Sequence, residues 1–526
     1  MRFRYDKSSE QLVVTAATKI EYHQLDLWLT RHIKGYRFMP AFKMGVWNGK
    51  QSYFNNGRIN LGLWKECLRG CQEIGSSFIV DNKEDFPLNR EVTLESVRDF
   101  CKEFFKNHKV KNKSEEWIPF FPYDHQIESA FKILKNRYCL AEVATSGGKT
   151  LIISIVYFYT LKKIDPNAKL LIIVPSITLV TQFYDSIVDF NIGMNKNFDG
   201  GNPNPIELKI EEIMSDRPRK HGTEEDPNIY IGTYQSLEKW PVEFFKKFHT
   251  IAVDESHGAK SKTLTTILKK TTKSAYSRFG VSGTFPPDDS CEILTIQSVL
   301  GPKITEVSAS ELRDKGIISP MEIRALILNH NDPDYQSRLD IIKRGGMGKE
   351  ALELEKDFIH NSEKRMELIT KLVEKCDKNT LILFHTIDYG QKIFSTLKDK
   401  IKDKDFFYID GEVRNKTREE IKSFMEETEG NTKILIASFG TLSTGVSIKN
   451  LHFLIMADSF KSEQIVIQSI GRLLRLIDNK NKAVIFDLID IFDSENSTNI
   501  LFRHFQERKK FYTKRKYPFI EKKINL

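Results

Sequence analysis

The sequence is short of the features that mark secreted and membrane proteins. Its 526 residues include six cysteines and no Cys-x-x-Cys pair, which excludes a disulfide scaffold and predicts a reduced intracellular compartment. No apolar run approaches the roughly 18–20 residues that cross a bilayer, because the longest, around Leu170–Val174, ends at Pro175 and Ser176. The basic amino terminus lacks the apolar stretch of a secretion signal. We therefore expect an intracellular, cytoplasmic protein with no membrane partner.

A strong charge of one sign is also missing, and so is the composition of a disordered chain. Hydrophobic residues make up 40% of the sequence and charged residues 29%, enough to build folded cores. The net charge of +9 permits a polyanionic partner without requiring one. Residues 501–526 carry nine Lys and Arg against two Glu. This tail is typical either of a solvated terminal helix or of a nucleic-acid contact.

The chain divides into five segments. Residues 1–95 alternate short strand-like runs with glycine-rich turns, which predicts a small α+β accessory domain, and residues 96–117 form a charged connector. Beyond them, short β-branched apolar runs alternate with amphipathic helices, as in parallel sheets buried on both faces. The pattern occurs twice, and we predict an α/β fold of two tandem doubly wound parallel-sheet lobes, at 118–315 and 316–490. A basic helical tail follows at 491–526.

A phosphate-binding loop is predicted between an apolar strand, Tyr138–Val143, and a helical run, Leu151–Leu161. Small loop residues let backbone N–H groups surround phosphate oxygens, and the helix N-terminus adds partial positive charge. A lysine can reach the β- and γ-phosphates, and a threonine hydroxyl can bind Mg²⁺. Val143 stands where the strict motif has its first glycine. The residues predicted to bind the nucleotide are Thr145, Ser146, Gly147, Gly148, Lys149 and Thr150.

Acidic residues end a second apolar strand, Thr250–Val253. In a parallel sheet, ligands gather at the carboxyl ends of the strands. Asp254 is therefore predicted to hold Mg²⁺, Glu255 to polarise the attacking water, and His257 to sense the γ-phosphate or relay its presence to the other lobe.

Taken together, the motifs resemble those of superfamily 2 helicases. The shared order runs from Gln126 through Gly-Lys-Thr, Asp-Glu-Ser-His and Ser-Gly-Thr to Gln-x-x-Gly-Arg-x-x-Arg, over about residues 120–490. The resemblance implies RecA-like lobes and an ATPase that uses ATP and Mg²⁺ and is stimulated by nucleic acid. It also implies that Gln126 reads the adenine edge, that an aromatic residue, Tyr123 or Phe121, stacks on the base, and that Ser-Gly-Thr couples hydrolysis to lobe movement.

The same resemblance supplies candidates for strand binding and for catalysis in the second lobe. The residues implied to contact nucleic acid are Pro175, Ser176, Thr178, Gln182, Thr233, Gln235, Thr386, Ser438 and Thr441. Gly445 is implied to contact the nucleotide. Gln468, Arg472 and Arg475 belong to the motif whose arginines stabilise charge on the γ-phosphate, and the two arginines share one helix face because they are three residues apart.

The amino-terminal stretch 35–50 and the segment 438–451 are similar to those of the UvsW-type DNA helicases of T-even phages. This likeness implies action on branched DNA in recombination, replication and repair, through fork regression, Holliday junction migration and R-loop unwinding. It also implies host cytoplasm as the location, with RNA–DNA hybrids and recombination or single-strand-binding proteins as further candidate partners. In the stretch 35–50, cations interleave with aromatic residues, so Arg37, Lys43 and Trp47 are candidate contacts to DNA. The alternative is the aromatic core of a small domain with solvated lysines.

Two other functions remain compatible with the residues. An RNA helicase or RNA-processing ATPase could use the same core. A non-enzymatic adaptor could bind nucleic acid with an inactive site, although the complete set of Lys149, Asp254, Glu255 and the two arginines argues against it.

Overall fold

The structure is a computed structural model. The structure describes residues 1–85, 91–111, 116–193, 205–214, 226–271, 275–330, 332, 335, 337, 348–413, 415–427, 430–443, 448, 450–473, 482–492 and 499–526. These residues form two compact units, Met1–Val307 and Ser308–Leu526. No helix among the described residues is long and apolar enough to cross a membrane.

The first unit begins with a small α+β region. A mixed four-stranded sheet has the order β5-β2-β1-β6, and alternate residues of β1 are buried because a strand turns successive side chains to opposite faces. Two antiparallel pairs, β3 with β4 and β7 with β8, lie outside this sheet. The strands are β1 (Arg2–Asp6), β2 (Gln11–Ala16), β3 (Thr30–His32), β4 (Lys50–Ser52), β5 (Arg58–Asn60), β6 (Ile79–Val80), β7 (Lys109–Lys111) and β8 (Trp117–Pro119).

The small region packs on the sheet domain that follows it in the same unit. Tyr53 Oη donates to the carbonyl of Cys291 over 2.7 Å. A Cβ on Gly62 would lie 2.0 Å from the carbonyl oxygen of Gln297, so only glycine permits this approach of two backbones. Buried side chains of both regions form one hydrophobic cluster. The small region is therefore fixed to the helix Cys291–Leu300.

The larger part of the first unit is an all-parallel seven-stranded sheet of order β11-β12-β10-β13-β14-β9-β15. Its central strands are buried along their whole length, as expected for strands covered by helices on both faces. The strands are β9 (Tyr138–Val143), β10 (Leu170–Val174), β11 (Ile210–Ile213), β12 (Ile229–Thr233), β13 (Thr250–Val253), β14 (Ser277–Ser282) and β15 (Lys303–Val307).

The second unit repeats this architecture with the order β18-β19-β17-β20-β21-β16-β22, again all parallel. The segment 491–526, expected to be helical, contains the helix Ile500–Lys514 and then a strand at the sheet edge. The strands are β16 (Met321–Asn329), β17 (Thr380–Phe384), β18 (Lys404–Ile409), β19 (Thr432–Ser438), β20 (Phe453–Met456), β21 (Ala483–Ile491) and β22 (Phe519–Asn525).

Helices connect the strands and cover the sheets. Side-chain caps begin several of them, as at Thr18, Thr93, Ser261 and Ser290. In the first unit the α-helices are Lys19–Trp28, Pro40–Lys43, Trp64–Glu73, Leu94–Phe104, Asp124–Lys135, Lys149–Tyr159, Ile177–Ile192, Tyr234–Leu237, Val242–Phe245, Lys262–Lys270 and Cys291–Leu300. In the second they are Ala309–Asp314, Gly348–Asn361, Glu363–Lys375, Ile387–Lys400, Asn415–Glu426, Phe439–Ser443, Glu463–Leu473 and Ile500–Lys514.

The predicted fold class is confirmed, since two parallel-sheet lobes in tandem follow a small α+β region. Apolar runs located strands well: Leu170–Val174 and Thr250–Val253 coincide with β10 and β13.

Candidate functional site

The phosphate loop lies between β9 and the helix Lys149–Tyr159. Gly148 adopts φ +83° and Ser146 φ +69°, both in the left-handed region that serine rarely enters. The N–H of Gly147 donates to the carbonyl of Ala144 over 2.9 Å, closing a tight turn. The loop thus reverses direction immediately before the first helical turn and brings its N–H groups to the helix N-terminus, a geometry suited to an anion.

Residues ahead of the loop fix its shape. His125 Nε2 donates to the Gly147 carbonyl over 2.9 Å, and Gln126 Nε2 donates to the same oxygen over 3.2 Å. Gln126 Oε1 accepts from the N–H of Tyr123 over 2.9 Å. Both ends of the Gln126 amide are therefore engaged within the chain, while the ring of Tyr123 is half exposed. Of these two residues, Tyr123 is the more accessible to a base.

The acidic residues lie at the carboxyl end of β13, two strands away from β9. Asp254 is 7% exposed, and its Oδ1 has no hydrogen-bond partner among the described residues. Burial, together with the neighbouring charge of Glu255, raises the pKa of Asp254 to about 7. A buried carboxylate oxygen without a partner is suited to a divalent cation, directly or through water. Asp254 therefore fits the predicted Mg²⁺ site, and Thr150, in the first turn of the loop helix, supplies a hydroxyl.

Glu255 links the acidic residues to the phosphate loop. Its Oε1 lies 3.7 Å from Lys149 Nζ, and its Oε2 lies 3.3 Å from His257 Nδ1. Glu255 itself adopts φ +47°, a left-handed conformation that costs energy for a residue with a side chain and is concentrated at functional sites. The turn directs the carboxylate towards Lys149, so three of the predicted catalytic residues of the first unit, Lys149, Glu255 and His257, form one connected group.

Ser282 extends this group to β14, a link that sequence analysis did not assign to a single residue. Its Oγ donates to the carbonyl of Thr284 over 2.9 Å, and His257 Nδ1 lies 2.9 Å from the same Oγ. The same Oγ lies 3.4 Å from Glu255 Oε2, so one hydroxyl joins His257, Glu255 and the turn after β14. A Cβ on Gly283 would lie 3.9 Å from Lys149 Nζ. The Ser-Gly-Thr turn therefore contacts the acidic residues through Ser282 and lies beside the phosphate loop.

The predicted strand-binding residues of the first unit follow β10 and β12, on the other half of the same sheet edge. Ser176 begins the helix Ile177–Ile192, and its buried hydroxyl has no partner in the described part of the chain. Thr233 Oγ1 instead accepts from the N–H of Ser236 over 3.3 Å, which caps the next helix. Pro175, Thr178, Gln182 and Gln235 lie in or beside these helix starts. The strand order thus separates the nucleotide residues from the strand-binding residues along one edge.

In the second unit, the predicted contacts also follow strands. Thr386 begins the helix after β17, and the N–H of the preceding His385 donates to Asp458 Oδ2 over 2.8 Å. Ser438 Oγ and Thr441 Oγ1 lie 2.7 Å apart at the end of β19. The predicted Gly445 and Arg475 lie outside the described residues, as do the side chains of Gln468 and Arg472, whose backbone belongs to the helix Glu463–Leu473.

The candidate DNA contacts of the small region lie on a projection, residues 34–50, between β3 and β4. Arg37 and Lys43 are exposed, whereas Trp47 is half-buried and its Nε1 donates to the Lys50 carbonyl over 2.9 Å. A second group is apolar and exposed at the tip: Phe38, one of the interleaved aromatic residues of this stretch, is 81% exposed, and two aliphatic residues that the sequence did not single out join it. Met44 and Val46 are its other members, at 69% and 73%. Their residue types are those of core residues, so only the structure identifies them as surface.

Comparison with known proteins gives two domain matches. The DEAD/DEAH box helicase family matches residues 123–293, and the helicase conserved C-terminal domain matches residues 363–476. Over 96% of both chains, the sequence is 29% identical to the ATP-dependent DNA helicase uvsW of Enterobacteria phage T4.

Solved structures share the fold. The DNA-bound ATP-dependent Type ISP restriction-modification enzyme LlaBIII is 15% identical with a TM-score of 0.55, over 78% of this chain and 32% of that one. Dbp5 of S. cerevisiae, bound to RNA and ADP BeF3, is 14% identical with a TM-score of 0.50, over 77% of this chain and 90% of that one. One of these proteins is bound to DNA and the other to RNA, so the shared fold alone does not select the nucleic acid.

Proposed function

Because this chain belongs to the superfamily 2 helicases and is an ATP-dependent helicase, a hydrolase, we propose that it acts on branched DNA. In this proposal it regresses forks, migrates four-way junctions and unwinds R-loops. The supporting observation is the likeness to the phage T4 DNA helicase over 96% of the chain. That likeness extends beyond the two helicase domains into the small amino-terminal region.

In the proposed ATP site, Lys149 binds the β- and γ-phosphates and the loop N–H groups surround them. Glu255 orients the attacking water, and its contact with His257 passes the state of the γ-phosphate to Ser282. Asp254 and Thr150 would hold Mg²⁺, which neutralises charge on the β- and γ-phosphate oxygens. Arg472 and Arg475 of the second unit are proposed to stabilise the charge that develops during hydrolysis.

The projection 34–50 is proposed to contact DNA at the branch. Its exposed lysines and arginine attract phosphates, and the apolar tip around Phe38 presents a surface on which an unpaired base can stack. Phe38→Ala is expected to weaken binding to forks and four-way junctions by about 5- to 150-fold, since one base–aromatic stack is worth about 1–3 kcal/mol, with little effect on duplex. Leu27→Ala, at an exposed apolar residue of the helix Lys19–Trp28 in the small region, is the control.

A panel of nucleic acids tests the proposal. ATP hydrolysis is measured with single strands, duplex, forks, four-way junctions, RNA–DNA hybrids and RNA. We expect low turnover without nucleic acid and the highest turnover with branched DNA. Equal rates with and without every nucleic acid would contradict a translocating motor, and a preference for RNA over all DNA forms would move the protein to the RNA helicases, since proteins sense the 2′-hydroxyl directly.

A further inference from the structure

The C-terminal helix Ile500–Lys514 carries an arginine that is buried inside the second unit. Arg508 and its partner Asp487, on β21, are 1% and 0% exposed. Arg508 Nε donates to Asp487 Oδ2 over 3.0 Å and Nη2 donates to Oδ1 over 2.9 Å, a bidentate pair. Tyr512 Oη donates to the same carboxylate over 3.0 Å. Removing such a pair from water costs free energy, which only well-formed hydrogen bonds offset. The complete set of hydrogen bonds around Arg508 therefore indicates that the pair holds its neighbours in a defined geometry.

The third nitrogen of Arg508 reaches a different segment. Nη1 donates to Ser459 Oγ over 3.0 Å and to the carbonyl of Phe460 over 2.7 Å. These two residues connect β20 to the helix Glu463–Leu473, which carries Gln468 and Arg472. One planar guanidinium thus joins β21 to the connection that leads into that helix, and a lysine ammonium could not form the same bidentate contact.

A second contact joins the same two helices. Arg515, directly after the C-terminal helix, donates through Nε to Glu463 Oε1 over 3.2 Å, and Glu463 is the first residue of the helix that bears Arg472. The ring of Phe460 also packs against Phe439, which follows β19 beside the predicted Ser438 and Thr441. The connection before the helix Glu463–Leu473 is therefore held by the C-terminal helix on one side and by Phe439, directly after β19, on the other.

We propose that Arg508 is a positioning residue, which fixes the start of the helix Glu463–Leu473 and so sets the place of Arg472 during ATP hydrolysis. The inference rests on the proposed role of the arginines in hydrolysis. Arg472 is nine residues beyond Glu463, about 13 Å along a helix, so a tilt of about 10° at the start would move its backbone by about 2 Å. Displacements of about 1 Å can cost about 100-fold in rate.

The basic C-terminal segment then has an internal role besides its surface charge. Its composition is compatible both with solvated cations and with contacts to nucleic acid. Arg508 and Arg515 are committed to the protein itself, whereas Lys509, Lys510 and Lys514 are exposed.

Two variants distinguish a positioning role of Arg508 from a general contribution to the stability of the protein. Arg508→Lys keeps the charge beside Asp487 but loses the fork and its reach to Ser459 and Phe460. Tyr512→Phe removes one hydrogen bond to the same carboxylate and leaves those contacts intact, and is the matched control. We measure kcat and KM for ATP with saturating single-stranded DNA, the Kd for DNA, the Tm, and amide hydrogen exchange over 459–473.

For Arg508→Lys we expect kcat to fall about tenfold or more with KM and Kd within about twofold, because the loss falls on a step after binding. Exchange should rise over 459–466. Tyr512→Phe should keep kcat within about twofold of the wild-type value, even if its Tm falls as much as that of Arg508→Lys. If Arg508→Lys does not fold, Arg515→Gln replaces it, because Arg515 contacts Glu463 at a more exposed position. This variant is expected to lower kcat about two- to fivefold with unchanged Tm.

Several outcomes would overturn the inference. These are a wild-type kcat in Arg508→Lys, losses of kcat that follow Tm equally in both variants, unchanged exchange over 459–473, or, if Arg508→Lys does not fold, a wild-type kcat in Arg515→Gln. Failure of the proposed function looks different, since the wild-type protein would then hydrolyse ATP equally with and without every nucleic acid, or best with RNA, while the exchange measurement would still distinguish the two variants.

Discussion

His257 Nδ1 lies 2.9 Å from Ser282 Oγ, so the histidine two residues after the acidic pair is joined to the end of the neighbouring strand. The same hydroxyl lies 3.4 Å from Glu255 Oε2, and its donation to Thr284 fixes the turn that borders the phosphate loop. The proposed water-orienting carboxylate and the turn after β14 therefore share one hydrogen-bonded group, and a change at either one will be felt by the other.

We expect Ser282→Ala to uncouple hydrolysis from unwinding. The substitution removes the contact with His257 and leaves Lys149, Asp254 and Glu255 in place. ATP hydrolysis should fall by less than about tenfold, while the base pairs opened per ATP fall further. The measurement is a paired ATPase and fork-unwinding assay. Ser256→Ala, which removes a buried hydroxyl bonded to the Val281 carbonyl outside this group, is the control and should keep the ratio.

Turnover is expected to depend on two side chains of the first unit. Lys149→Ala and Glu255→Gln should each lower kcat by about 1000-fold or more, because one removes the phosphate-binding charge and the other the water-orienting carboxylate. Glu255→Gln should still bind a fluorescent ATP analogue and DNA. Lys162→Ala, at an exposed lysine beyond the loop helix, is the control. Turnover that survived either active-site change would refute the assignment of the site.

Gly148→Ala should abolish ATP binding. The residue adopts φ +83°, and an added Cβ would meet Gln126 Nε2 at 2.1 Å, whereas Gly258 has open space around it and a permitted φ. Gly258→Ala is therefore the matched control. Affinity for a nucleotide analogue, measured by titration calorimetry, should fall at least about 100-fold for Gly148→Ala and stay unchanged for the control. Equal affinities would mean that the loop adapts freely.

The docking of the small region on the sheet domain depends on a buried ion pair between Glu10 and Arg278, with side chains 9% and 8% exposed. Tyr138 Oη also donates to Glu10. Glu10→Gln leaves the guanidinium buried without its counter-charge and should reduce the free energy of unfolding by about 3 kcal/mol. Lys102→Ala, from an exposed pair, should change it by less than about 0.5 kcal/mol. Chemical denaturation measures both, and equal effects would place the Glu10–Arg278 pair in solvent.

The pH dependence of the second unit should involve His504. Burial lowers the pKa of His504 to about 4, and the charges of Arg508, Lys461 and Lys356 act in the same direction. The unfolded chain, with the ordinary pKa of about 6.5, binds more protons between pH 4 and 6.5. Stability from this residue is therefore complete above pH 6.5 and is lost as the pH falls to 4. His504→Gln should give a smaller fall of Tm across that window, and an identical fall would exclude His504 as the cause.

The sequence was most informative where chemistry and periodicity agreed. Buried parallel strands appear as unbroken apolar runs, so β10 and β13 could be located from composition alone. The strand β22 could not, because its sequence, FIEKKIN, lies at a sheet edge and exposes its charged residues. The strand β22 joins the sheet by pairing with β16, which lies almost 200 residues earlier in the sequence.

Buried charged side chains are the other feature that could not be predicted from the sequence. Sequence patterns assign arginine and aspartate to the surface, yet Arg365 and Asp490 are buried together and hydrogen-bonded. Arg508 and Asp487 behave in the same way. Each pair brings together residues that are distant in the sequence, so no local pattern marks them. The contact of Gln126 with the phosphate loop could not be predicted for a similar reason. The motif implies that Gln126 reads adenine, but it does not show which groups of the chain its amide contacts.

The placement of β16 has a consequence for synthesis on the ribosome. This strand opens the second sheet at Met321–Asn329, but its two neighbours, β21 and β22, are made only at 483–491 and 519–525. During elongation its backbone edges stay unsatisfied on both sides, a condition that favours pairing with other chains. Nascent chains that stall before residue 483 should therefore aggregate or recruit chaperones, whereas the first sheet, whose strands all precede residue 308, can already be complete.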